Sequence, residues 1–128
     1  MIKHFDHFVI NTQEPSTCLA FYEKLGFKGE EHEGHHHLSA HTFGIHVHPL
    51  NTEIALHAKN PQAGTAFFTW EVECTSDELV SLLQDHDISI EKGPIPHHGF
   101  YGLGISVYVR DPDGNLLELI SYQDIDEN

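Results

Sequence analysis

The order of elements along this chain is repeated, and that repetition limits the folds open to it. Phe5 to Asn11 reads as a strand, followed by a turn region ending at Pro15 and Ser16. A helix then runs to about Leu25. Cys18, Phe21, Tyr22 and Leu25 fall at i, i+3, i+4 and i+7, one helical face. Gly26 stands where a C-terminal cap is wanted. Ala66 to Glu73 then begins the plan again as a strand. Thr75-x-x-Glu78 is a capping box, and it opens a second helix to about His86 with Leu79, Leu82 and Leu83 inward. Three strand-like stretches follow each helix, near 27–32, 36–43 and 44–49 in the first half and 88–93, 103–110 and 115–122 in the second. The order β-α-β-β-β therefore occurs twice, in units of roughly 60 residues. Lining up the two opening strands sets His7 against Phe67.

This pattern predicts one α+β domain over 1–128 with one helix per module. Module one covers about 3–58, a connector about 51–65, and module two about 65–123. The connector holds Asn60-Pro61 and Gly64, both turn signals. Within it, Ile54-Ala55-Leu56 reads as a short extra strand or as packing under the loop. Gly93-Pro94 through Gly104 reads as a second long connection carrying His97, His98, Phe100 and Tyr101, and glycine-containing loops of that length often serve as lids.

The sharpest local signal is a hairpin near the C-terminus. Ser106 to Arg110 and Leu116 to Ile120 look like strands, and Asp111-Pro112-Asp113-Gly114-Asn115 is the turn between them. Asp accepts backbone hydrogen bonds, Pro presets φ, and Gly takes φ > 0. The acids of the turn are thereby explained as turn chemistry. Glu118 is not. A carboxylate in the middle of an apolar strand needs a cation or a metal beside it.

Composition narrows the partners. Asp and Glu outnumber Lys and Arg 20 to 6, for a formal net charge of −14, so nucleic acid and anionic membranes are poor partners. No apolar run is long enough to span a bilayer. The opening residues carry charge and lack a leader's apolar core. Two cysteines, one on a helix's apolar face, fit a reducing cytoplasm better than a disulfide framework. Of the thirteen histidines, His32, His35, His36, His37, His41, His46 and His48 cluster. A solvated surface with incidental metal affinity, or a pH-responsive one, accounts for the cluster as a whole.

Alternation decides which of these side chains can meet. His7 shares a strand face with Phe5 and Val9, His46 shares one with His48, and Glu118 shares one with Leu116, Ile120 and Tyr122. Two imidazoles and a carboxylate form the facial set used for Fe(II), and also for Zn(II) or Mn(II). The opposing reading is that His7 and Glu118 are satisfied by neighbours, or by each other.

The doubled plan, Phe5-Asp6-His7-Phe8-Val9-Ile10, the helix end Phe21 to Phe27, and the run from Arg110 to Glu118 together resemble the vicinal oxygen chelate superfamily. Glyoxalase I, extradiol dioxygenases and the fosfomycin and bleomycin resistance proteins are members. The likeness covers nearly the whole chain. Ile45-x-x-His48, the Gly93-Pro94 segment and the run Tyr108 to Leu116 are similar to small glyoxalase-domain proteins of the "VOC family virulence protein" group. The resemblance implies two βαβββ modules in a curved, cup-shaped mixed sheet, usually as a homodimer. It places metal ligands on His7, on His46 or His48, and on Glu118. The fourth usual position falls on Phe67, which cannot bind metal. That departs from the four-ligand glyoxalase I set and from the usual histidine of the extradiol enzymes.

Two functions follow as expectations. The first is a metal-dependent enzyme whose divalent ion (Fe, Mn, Zn or Ni) acts as a Lewis acid on vicinal oxygens of a small-molecule substrate, in a lyase, isomerase or dioxygenase reaction. Glu118, Tyr108 and Arg110 are its candidate catalytic residues, although Arg110 also suits pairing with Asp111 or Asp113. Glu71 is a weaker candidate base. No basic patch for a thiol such as glutathione stands out. The second function is a metal-free binding or sequestering protein of the bleomycin-resistance type. Phe67, Trp70, His97, Phe100 and Tyr101 are the candidate pocket residues, and Glu118 would bind a cationic group.

Overall fold

A computed structural model describes residues 1–52 and 56–124. The chain forms two compact units. One comprises residues 1–66 with 112–114, and the other 67–111 with 115–128. Ile54 and Ala55, on which the expected extra strand rests, lie outside the described residues, and Leu56 is exposed.

In the first unit the order is β1 (His7–Thr12), α1 (Pro15–Lys24), β2 (Lys28–His32), β3 (His35–Ala40) and β4 (Phe43–Pro49). In the second it is β5 (Phe67–Glu71), α2 (Ser76–Asp85), β6 (Ile90–Gly99), β7 (Gly102–Arg110) and β8 (Leu116–Ser121). Each unit holds one four-stranded mixed sheet, β1-β4-β3-β2 and β5-β8-β7-β6. In both, the first strand pairs parallel with the last, and the remaining pairs are antiparallel. The repeated β-α-β-β-β plan is thus repeated as topology.

Local chemistry explains the helices. Pro15 opens α1, where its missing N–H costs nothing. Gly26, at φ +104, closes it, and the N–H groups of Gly26 and Phe27 return to the carbonyls of Glu23 and Tyr22. In α2, Thr75 and Glu78 form the expected reciprocal capping box. Cys18 and Tyr22 are buried among Ile10, Leu38, Ile45 and Val47, while Leu79 and Leu83 are buried in the unit that holds Val107, Val109, Leu117 and Leu119. Leu82 is a correction. It is 49% exposed, because the buried seam of this ten-residue helix runs through Ser76, Leu79 and Leu83.

The largest departure from expectation is the stretch from Gly93 to Gly104. It is a long hairpin, with β6 continuing through Gly93-Pro94 to Gly99 and β7 starting at Gly102. The β6–β7 register shifts between Lys92 and Ile95, and Gly93 at φ +100 absorbs the irregularity. As an outer strand of its sheet, β6 can carry Pro94 and Pro96 without losing ladder bonds. The expected lid is therefore paired strand, with Phe100 and Tyr101 at its tip.

Candidate functional site

Glu118 sits in the middle of β8 and is 2% exposed. Thr69 lies directly across from it on β5 and Tyr108 directly across on β7. The Thr69 hydroxyl donates to Oε1 at 2.8 Å, and the Ser106 hydroxyl donates to Oε2 at 2.6 Å. His97 Nδ1 stands 2.6 Å from the same Oε2. Burial works against the charge, but the bonds from Ser106 and Thr69 and the imidazole of His97 outweigh it, so the carboxyl is held below its usual range. Burial, the Glu118 charge and a hydrogen bond to that carboxylate raise the Tyr108 phenol. Glu118 therefore has its partners within its own unit.

The sheet of the first unit has a different character on each side. Ile10, Leu38, Ile45 and Val47 are buried, while His7, His46 and His48 fall on the alternate positions. His46 faces His37 across β3 and β4. The rings of His7 and His46 stack at 3.7 Å and 19°, and those of His46 and His37 at 4.0 Å and 10°. His7 Nδ1 also meets Asp6 Oδ1 at 2.7 Å. Burial, reinforced by neighbouring imidazoles, lowers the pKa of His37, His46 and His48. Near neutral pH these three rings are uncharged, the state in which imidazole ligates a metal.

The remaining predicted residues scatter. Arg110 forks onto Glu91, with Nε–Oε1 and Nη2–Oε2 both at 3.0 Å. Glu91 was absent from the sequence-based alternatives. Phe67 and Glu71 share the Glu118 side of β5 and are exposed, whereas Trp70 lies on the other side with its ring stacked on Phe68 at 5.5 Å. Trp70 is not beside Glu118. Phe100 is 93% exposed, Tyr101 meets Tyr122 edge-on at 5.8 Å, and His98 is exposed. Sequence reasoning missed Thr69, Ser106 and His37. Ser106 did leave a trace, as a small polar residue in a strand of branched ones, while Thr69 and His37 become legible only once the strand register is known.

The donor chemistry suits a divalent ion, since uncharged imidazoles and an ionised carboxylate are what such ions take. The placement is less complete. Among the described residues no three His, Cys, Asp or Glu side chains form a group that could hold an ion. Among the described residues, no helix is long and apolar enough to cross a membrane.

The profile of the Glyoxalase/Bleomycin resistance protein/Dioxygenase superfamily matches residues 4–119. The glyoxalase domain-containing protein RDO1 of Mycosarcoma maydis is 32% identical over 96% of this chain and 70% of its own length. Virulence protein STM3117 of Salmonella typhimurium is 33% identical over 95% of this chain and 86% of its own. The crystal structure of STM3117 superposes with a TM-score of 0.91 over 95% of this chain and 97% of that one. More distant likeness, of fold alone, extends to a lactoylglutathione lyase from Agrobacterium tumefaciens (19% identity, TM-score 0.69) and to TnmS3, an antibiotic binding protein from Streptomyces sp. CB03234 (17% identity, TM-score 0.72).

Proposed function

The chain belongs to the glyoxalase/bleomycin resistance protein/dioxygenase superfamily, and from that membership we propose that it is a metal-dependent enzyme acting on a small molecule. One observation carries this reading. Glu118 is buried yet kept ionised by Thr69, Ser106 and His97. Taking a carboxylate out of water costs several kcal/mol unless it is compensated. A charge retained at that cost, in the middle of a sheet, suits a cation. The proposed donors are the ones the family resemblance implies, His7, one of His46 and His48, and Glu118. When bound, a divalent ion supplies Lewis-acid polarisation of neighbouring substrate oxygens. Isomerisation, oxygen insertion and epoxide opening all use that effect. On the Glu118 side of its sheet, Tyr108 offers a hydroxyl and His97 an imidazole to a bound molecule. Arg110 is engaged with Glu91 and fits a structural role better than a catalytic one.

A second reading is a metal-free binding protein in which Glu118 receives a cationic group. The matching of Glu118 within its own unit by Thr69, Ser106 and His97 favours it. Counting ions separates the two. Untagged protein is stripped of weakly held metal, and the ions retained are counted in the wild type and in Glu118→Ala, His46→Ala and His48→Ala. About one tight ion per chain, lost in Glu118→Ala and in one of the two histidine variants, supports the enzyme. Retention that is unchanged in Glu118→Ala assigns the ion to surface histidines and removes the carboxylate from the donor set. Pairing with a second copy is also proposed, from the habit of the family, and light scattering of the purified chain tests it.

A further inference from the structure

His97 reaches Glu118 from two strands away. It lies on β6, opposite Gly104 of β7, and β8 lies beyond. Neighbouring strands stand about 4.8 Å apart, so the imidazole must cross the whole width of β7. The β7 residues on this side at the crossing are Gly104 and Ser106, neither of which carries a bulky side chain. Gly104 is buried, and a Cβ there would meet Ile120 at 2.8 Å and the Ser121 carbonyl at 2.9 Å. Ile120 already packs over Gly104, and His97 Nδ1 reaches Oε2 at 2.6 Å while Ser106 donates to the same oxygen. The Thr69 hydroxyl donates to Oε1, and the Tyr108 phenol also hydrogen-bonds the carboxylate. His97 is the partner that reaches it from β6. The His97 side chain remains 48% exposed.

We infer that His97 is a positioning residue for Glu118, donating through Nδ1 to Oε2 from the far side of β7 and so fixing how the carboxylate is presented to a cation. This rests on the reading of Glu118 as a donor. It separates His97 from His98, its exposed neighbour, and replaces the expectation that His97 sits in a mobile lid. Outer-sphere partners of this kind typically change metal affinity by about 10–100-fold when removed.

The test uses the whole chain, metal-free, with Co²⁺ as the probe. Long-range ¹H–¹⁵N spectra of the His97 ring read its tautomer directly in the wild type. A proton on Nδ1, with Nε2 bare, is the expected result, and a proton on Nε2 with Nδ1 bare overturns the proposal. Calorimetric titration then follows the Co²⁺ component that Glu118→Ala abolishes. His97→Asn places an amide N–H where Nδ1 was, whereas His97→Gln places one where Nε2 was. Binding within a few-fold of wild type in His97→Asn, with a loss of about 10–100-fold in His97→Gln and His97→Ala, supports the assignment. Equal behaviour of Asn and Gln, or wild-type binding by His97→Ala, overturns it. If Glu118→Ala binds Co²⁺ as the wild type does, the donor reading fails. The tautomer alone then upholds or overturns the placement of Glu118 by His97.

Discussion

Thr69 and Glu118 occupy directly paired positions on two parallel strands, and the threonine hydroxyl donates to Oε1 at 2.8 Å. This bond joins the outer strand β5 to the carboxylate of β8. Thr69→Val keeps the shape of the side chain and removes the donor. A buried carboxylate that loses such a bond costs about 1–3 kcal/mol. Urea unfolding should show a lower midpoint with an unchanged slope, and a midpoint equal to wild type would mean that the hydroxyl adds nothing.

Acid should weaken the fold through Glu118. Its folded pKa lies below the ordinary 4.5, because the bonds from Ser106 and Thr69 and the nearness of His97 overcome the opposing effect of burial. A depressed carboxyl contributes stability that is fully present above 4.5 and is lost as pH falls through the folded value. Unfolding free energies of metal-stripped protein, measured downward from about pH 5.5, should fall more steeply in wild type than in Glu118→Gln. Parallel curves would assign the acid sensitivity to other groups.

A separate loss belongs to the histidine face, at higher pH. His37, His46 and His48 have folded pKa values below 6.5, chiefly from burial. Below 6.5 the unfolded chain takes up protons that the folded chain resists, so stability is present above that value and declines as pH falls. His48→Gln should flatten the slope below about pH 6.5 without altering the part due to Glu118. A His48→Gln curve as steep as wild type would show that this ring is not held neutral.

Crowding at Gly104 gives a test that requires no titration. Gly104→Ala adds a methyl group where Ile120 and the Ser121 carbonyl already stand within 3 Å. Overpacking of this kind costs about 1–3 kcal/mol. A thermal scan should show a lower Tm. A variant as stable as wild type would mean that the β7–β8 contact yields more readily than its backbone suggests.

Much of the fold was legible because it rests on local signals. Thr75 and Glu78 cap α2 as a short-range motif requires, and Gly26 ends α1 because few other residues accept φ near +104. Asp111 closes its turn as expected. Its Oδ1 accepts from the Asn115 N–H at 2.9 Å and its Oδ2 from the Asn115 amide at 2.7 Å. Glycine and proline misled the reading of 93–104, where Gly93 marks an irregularity inside a strand and the prolines sit on an outer edge. Turn residues carry the same signature in a loop and in a bulged edge strand, and only pairing distinguishes them.

The sequence by itself determined the doubled β-α-β-β-β order, the helix ends, the turn at 111–115, and the fact that Glu118 needs a partner. Periodicity and turn chemistry act over a few residues, so they survive in a one-dimensional reading. The tertiary structure alone decided who that partner is. Register sets Thr69 and Tyr108 against Glu118, and His97 reaches it from a strand further away. Register likewise places the His37 ring against His46. These contacts join residues 10 to 49 positions apart in Glu118's case. Strand pairing creates them, and strand pairing is a property of the assembled sheet.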